Sequence, residues 1–194
     1  MSDRPSTAKT VFEHSVSLSP AAEVELEALG LRGTGVKVPG LNPATGRPRI
    51  SKRALSAPEV LNEAYDYSKP SSFSRGMLVD LPGATMLFLS GTASVDENGE
   101  TLHRGDFKAQ CLRTFHNLAR LLAAEGSSWH DVIRTTCYLR DIDRDYDDFN
   151  EVRTMFMDAI ELVPLPASTG IEARLCRSDL LVEIEAIAIL PCVR

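Results

Sequence analysis

Residues 181–190 read LVEIEAIAIL. Side chains alternate along a strand, so Val182, Ile184, Ala186, Ala188 and Leu190 fall on one side and Leu181, Glu183, Glu185, Ile187 and Ile189 on the other. The first row is ready for a core, while the second carries two carboxylates about 7 Å apart along the strand. A buried, unpaired carboxylate costs several kcal/mol or takes up a proton. Water in a cleft, a cation, or both must therefore solvate Glu183 and Glu185, and the candidate cation partners are Arg134, Arg140 and Arg75.

Working back from this strand, the chain repeats a regular alternation of elements. Residues 74–80 and 86–90 read as strands around the turn LPGA. Asp106 caps a helix whose stripe is Phe107, Cys111, Phe115, Leu118 and Leu122, ending near Gly126. Residues 132–140 form a strand with Ile133, Thr135, Cys137 and Leu139 on one face and Arg134, Thr136, Tyr138 and Arg140 on the other. A second helix is expected near Asp145, with Phe149, Val152, Phe156 and Ile160 as its stripe, and residues 169–173 supply another strand. The order strand, strand, helix, strand, helix, strand, strand specifies an α+β fold: one mixed sheet with two helices on one face. Two helices leave the other face open, and its mix of apolar and charged residues calls for a neighbouring subunit.

Residues 1–70 are different and read as an N-terminal extension to the domain of residues 71–194. Pro39, Pro43, Pro48, Pro58 and Pro70 interrupt any long element, although Ser19-Pro20 opens a short helix ending by Gly30. The basic run from Arg47 to Arg53 reads as a solvated linker, with an anion site as its alternative. The whole chain of 194 residues has a formal net charge of −6, which disfavours nucleic acid as a partner. Its four cysteines form no CxxC pair, and Cys111, Cys137 and Cys176 read as small buried residues. The scattered histidines and cysteines offer no metal-ligand spacing, so neither a metal nor another cofactor is expected. No signal peptide or membrane span is visible, and the expectation is a cytoplasmic protein with no membrane partner.

The blocks LFLSGTASVDENGE, HNLARLLAAEGSSWHDVIRTTCYLRDIDRDYDDFNEVR, PLPASTGIEARL and LLVEIEAIAIL, taken together, resemble the Rid (reactive intermediate deaminase, YjgF-like) family, long labelled L-PSP endoribonuclease. The resemblance covers about residues 71–194. It implies a chorismate-mutase-like sheet backed by two helices, assembled as a homotrimer with small-molecule clefts between subunits. Deaminases of this kind hydrolyse enamines and imines such as 2-aminoacrylate to a keto acid and ammonia. In them an arginine after a Pro-Ala pair grips the substrate carboxylate, and the first glutamate of the closing strand orients water.

That glutamate corresponds to Glu183, the one catalytic candidate. The anchoring arginine is replaced by Ser168, and the cysteine two positions later by Gly170. Asn150, Ser90, Gly91 and Phe73 match further binding positions. A hydroxyl cannot reproduce the two-pronged grip of a guanidinium, so Arg75, two residues after Phe73, is the expected substitute charge. The leading expectation is hydrolysis of a small, anionic imine, enamine or related carbonyl compound. The alternatives are a non-catalytic metabolite-binding trimer and a chorismatase-like hydrolase, the latter needing several basic residues around a dicarboxylate. Ribonuclease chemistry is disfavoured, because the chain lacks a histidine pair or histidine–lysine cluster for general acid–base cleavage.

Overall fold

The computed structural model describes residues 17–29, 31, 50–67 and 70–191. His14, Gly30, Pro39, Pro43, Pro48, Cys192 and the start of the basic run at Arg47 lie outside the described residues. Two compact units divide between Arg49 and Ile50. The first contains helix α1 (Pro20–Ala28), where the Ser19 hydroxyl accepts a hydrogen bond from the Ala22 amide and proline occupies the first helical turn.

The second unit is a six-stranded sheet. Its elements are β1 (Lys52–Ala54), β2 (Gly76–Leu81), β3 (Ala84–Ala93), α2 (Phe107–Ala124), β4 (Val132–Leu139), α3 (Ile142–Ala159), β5 (Ala167–Glu172) and β6 (Val182–Pro191). The strand order is β1-β2-β3-β6-β4-β5, antiparallel throughout except for the parallel pair β4 and β5. β6 thus lies in the middle of the sheet, which is why one row of its side chains, Val182 to Ala188, is buried.

α2 packs over β3 and β6, and α3 packs on α2 and β4. Aromatic rings join the two helices: Phe115 stacks on Phe156 at 4.8 Å and meets Trp129 edge-on at 5.7 Å. Segment 50–64 belongs to the same body. Leu55, Ala57, Val60, Leu61 and Ala64 are all buried in it, and Arg53 forms an ion pair with Glu125 at the end of α2.

Three local expectations are corrected. The second helix begins at Ile142, not near Asp145, because the Asp141 carboxylate caps it by accepting from the Arg144 amide. Ile133 is exposed, not on the core face, because the β4–β6 register shifts between Val132 and Arg134 and interrupts the alternation. Cys176 is exposed, since it lies in the loop before β6 and not in a packed element.

Candidate functional site

Pairing across the sheet determines what lies together on the face that the helices leave open. Met77 is opposite Phe88, Phe88 is opposite Ile187, and Ile187 is opposite Arg134, so these four form one row. The next rows pair Glu185 with Thr136 and Glu183 with Tyr138. Phe73, Ser90, Arg134 and Glu185 line a cavity of about 380 Å³ over this face. The Ser90 hydroxyl is committed to the Ser74 carbonyl at 2.7 Å.

Glu183 faces a second, larger cavity of about 550 Å³, which Phe73, Arg75 and Gly91 also line. The strand register shifts between Leu89 and Thr92, and Gly91 lies in that irregular stretch. An added Cβ on Gly91 would fall 1.9 Å from Glu183 Oε1, so the glycine is the space that the carboxylate occupies. Burial raises the Glu183 pKa above the usual carboxylate range, the Glu185 charge adds to this, and Arg177 opposes it. No arginine among the described residues forms an ion pair with Glu183 or Glu185. Arg134 donates to the Thr169 hydroxyl and Arg140 to main-chain carbonyls.

Arg75 is buried within the Glu183 cavity wall. Its Nε and Nη2 both donate to the Asn62 carbonyl, Nη2 also donates to the Tyr67 hydroxyl, and the guanidinium lies over the Tyr67 and Phe73 rings. Burial disfavours its charge, whereas Tyr67 and Glu63 support it. The sequence reading missed Tyr67, Arg104 and Arg177, which line the same cavity. Arg104 is paired with Asp179 at 3.0 Å. Arg177 donates to the Gly99 carbonyl, and its loop is fixed by two side chains. Buried Gln110 donates to the Asp179 carbonyl and accepts from the Leu181 amide, and Arg140 donates to the Leu180 and Arg177 carbonyls.

The remaining predicted residues lie elsewhere. Ser168, on edge strand β5, bonds to the Thr135 hydroxyl at 3.1 Å on the helix side of the sheet. Asn150 is on α3, and Arg153, one helical turn further on, donates to both Asn150 Oδ1 and the Ser168 hydroxyl. Its spacing of three residues from Asn150 on a helix was the available signal for Arg153. Gly170 is exposed beside the Tyr146 ring. Because Ser168 is opposite Thr135 and Glu183 is opposite Tyr138, two strand spacings and three residues separate them, about 14 Å, on opposite faces. One chain therefore holds two incomplete groups: Phe73, Arg75, Gly91 and Glu183 in one, Asn150 and Ser168 in the other. Among the described residues, no cluster of three or more His, Cys, Asp or Glu is arranged to hold a metal, and no helix is long and apolar enough to cross a membrane.

Residues 70–190 match the family model described as Endoribonuclease L-PSP. The RutC family protein PH0854 of Pyrococcus horikoshii is 32% identical over 108 residues, covering 56% of this chain and 82% of that protein. The 3-aminoacrylate deaminase RutC of Acinetobacter baylyi is 29% identical over 103 residues, covering 53% of this chain and 78% of the relative. A chorismatase of Streptomyces rapamycinicus is 29% identical over 179 residues; the match covers 88% of this chain but only 52% of the chorismatase. Among solved structures, Escherichia coli TdcF with bound serine superposes with a TM-score of 0.56 at 25% identity, covering 71% of this chain and 98% of TdcF.

Proposed function

Because the chain belongs to the Endoribonuclease L-PSP family, the Rid or YjgF-like proteins, we propose that it hydrolyses a small carboxylate-bearing imine or enamine, with Glu183 activating water. The observation that carries this reading is the Glu183 carboxylate, seated in the space left by Gly91 and facing a cavity with Arg75 and Arg177. A carboxylate with a raised proton affinity is a stronger general base than an exposed one. It takes a proton from water as the oxygen bonds to the imine carbon, and the C=N electron pair moves to nitrogen, which takes up a proton. The amino nitrogen of the resulting carbinolamine then takes up a second proton, the hydroxyl proton passes to the carboxylate, and the C–N bond breaks to release the carbonyl compound and ammonia. An enamine enters the same route after protonation at carbon.

The incompleteness of each group within one chain supports a homotrimer in which Glu183 of one subunit meets Asn150 and Ser168 of the next. The open sheet face supports it too, since Phe88 and Ile189 stay exposed there and need a covering surface. The working assignment gives catalysis to Glu183 and substrate contact to Phe73, Arg75, Ser90, Gly91, Asn150, Ser168 and Gly170. Arg75 acts chiefly through its charge in the wall. Imines generated in situ from amino acids by an oxidase or a dehydratase, with keto-acid release followed for wild type and Glu183→Ala, test it. Turnover should fall about 10²- to 10⁴-fold in the variant with its assembly intact. Undiminished turnover removes the assignment.

A second reading is a chorismatase-like hydrolase for a dicarboxylate. It is favoured by Arg75, Arg104 and Arg177 lining one cavity and by a relative matched over 179 residues. Turnover of dicarboxylates in preference to small imino acids distinguishes it. Saturable binding of either class without product would instead identify a metabolite-binding protein.

A further inference from the structure

The carboxylate grip that Ser168 cannot supply has a second source in this chain. We propose that Arg153, reaching across from α3 to Ser168, is the substrate-carboxylate anchor, for ligands of the 2-imino- and 2-oxo-carboxylate class. This rests on the imine-hydrolase reading for its choice of ligand, but the anchor itself is measurable by binding alone.

Three observations place the charge. Arg153 Nη1 donates to the Ser168 hydroxyl at 3.2 Å, so a guanidinium lies against the side chain that stands in place of the family's arginine. Nη2 donates to Asn150 Oδ1, and the guanidinium carbon lies 5.0 Å from the centre of the Phe149 ring. Phe149 is in the packed core, so the stem and the plane of the group are held from below. Pre-positioning of this kind reduces the ordering cost of ligand binding.

The donors are also available. A guanidinium has five N–H groups, and Ser168 and Asn150 take one from each Nη. Nε and one N–H on each Nη remain. Both acceptors are neutral, and among the described residues no carboxylate lies within ion-pair distance of Arg153. The group half-emerges into a cavity of about 180 Å³ whose walls include Pro166, Ser168 and Asp158. Its positive charge is thus oriented, hydrogen-bonded only to neutral groups and open to a small anion.

Arg75 is less suited to this task. A carboxylate is gripped by two neighbouring N–H groups, and each such pair on a guanidinium includes Nη2. In Arg75 that nitrogen already donates to both the Asn62 carbonyl and the Tyr67 hydroxyl. Arg75 contributes potential to the Glu183 cavity, whereas Arg153 has the free donors. Besides their assigned substrate contacts, Ser168 and Asn150 then also hold the Arg153 fork in position.

The test measures binding of pyruvate and 2-oxobutyrate to the full-length protein by calorimetry, beside turnover of the corresponding imines and of a neutral imine lacking a carboxylate. Arg153→Met keeps the apolar stem over Phe149 and removes the charge. It is expected to weaken 2-oxo acid binding about 100-fold, the scale of a lost charge-assisted pair, and to raise KM for the carboxylate imine without raising it for the neutral one. Arg153→Met combined with Ser168→Arg restores a guanidinium from β5 and should recover at least a tenth of wild-type affinity, which a purely structural role would not produce. Unchanged 2-oxo acid binding in Arg153→Met, or failure of the wild type to bind any 2-oxo carboxylate, overturns the anchor. Binding that depends on Arg153 without turnover by the wild type upholds the anchor and removes the hydrolase reading.

Discussion

Replacing Gly91 by alanine should separate activity from stability. The new Cβ would stand 1.9 Å from Glu183 Oε1 and 2.9 Å from its Cδ, against an ordinary contact of 3.4 Å or more. The carboxylate must therefore retreat by about 1.5 Å, and misplacement of a reacting group by about 1 Å costs roughly 10²-fold in rate. The expected fall in kcat/KM is about 100-fold, or about 2.7 kcal/mol of transition-state stabilisation. Stability should change by less than about 1 kcal/mol, since the obstructed atoms end a flexible side chain and the Gly91 backbone is outside the left-handed region. The assay is keto-acid release from in-situ imines, run beside thermal unfolding. In a Glu183→Ala background the same substitution should cost almost nothing, because the clashing carboxylate is gone. Gly91→Ala with more than a third of wild-type turnover would refute the reasoning.

Three further outcomes follow from the interior. Glu183→Gln should be more stable than wild type at about pH 8, and the difference should vanish near pH 4. The raised folded-state pKa makes the native state hold this proton more tightly than the unfolded chain, so wild-type stability falls as pH rises from the ordinary value of 4.5 through the raised one. Denaturant midpoints of the two proteins across pH check this, and a pH-independent gap would contradict it. Gln110→Ala leaves the Leu181 amide and the Asp179 carbonyl without their buried partner and should cost about 1–3 kcal/mol, with KM shifted because the Arg177 loop loses its tether. Phe115→Ala, at the ring cluster between α2 and α3, should cost about 3–5 kcal/mol in chemical denaturation.

Local periodicity made the sheet and helices legible. The alternation in 182–190 and the stripes of α2 and α3 are patterns that neighbouring residues impose on one another, and the structure follows them. Glu183 was visible for the same reason, as a charge in a strand otherwise built for burial. The role of Gly91 was half visible: a need for room can be read from a glycine in a strand, but the carboxylate that fills it lies 92 residues away. Long-range contacts explain the other omissions. Leu55 and Leu61 look like residues of a proline-broken segment, and only the body they join shows them to be core. Arg153 reads as one charge on an exposed helix face until the α3–β5 geometry brings it to Ser168. Ile133 misled because a single register shift reverses the parity on which strand faces are read.

The separation of Glu183 from Ser168 leads to a test that uses neither structure nor binding. If each reaction site combines Glu183 of one protomer with Arg153 of the next, loss of either residue cripples a different half of the site, and at substrate concentrations well below KM each variant alone turns over at about a hundredth of wild type or less. Mixing Glu183→Ala and Arg153→Met protomers in equal amounts, by co-expression or by denaturation and refolding, then creates interfaces where both halves are wild type. Such an interface needs an Arg153→Met protomer on the glutamate side and a Glu183→Ala protomer on the arginine side. Random assembly supplies that arrangement at about one interface in four in a ring with head-to-tail contacts. Activity should therefore rise from near zero in each variant alone to about a quarter of wild type in the mixture. Sites contained within single chains would give no such recovery, since every protomer in the mixture remains defective, and a mixture as inactive as its components would refute the shared site.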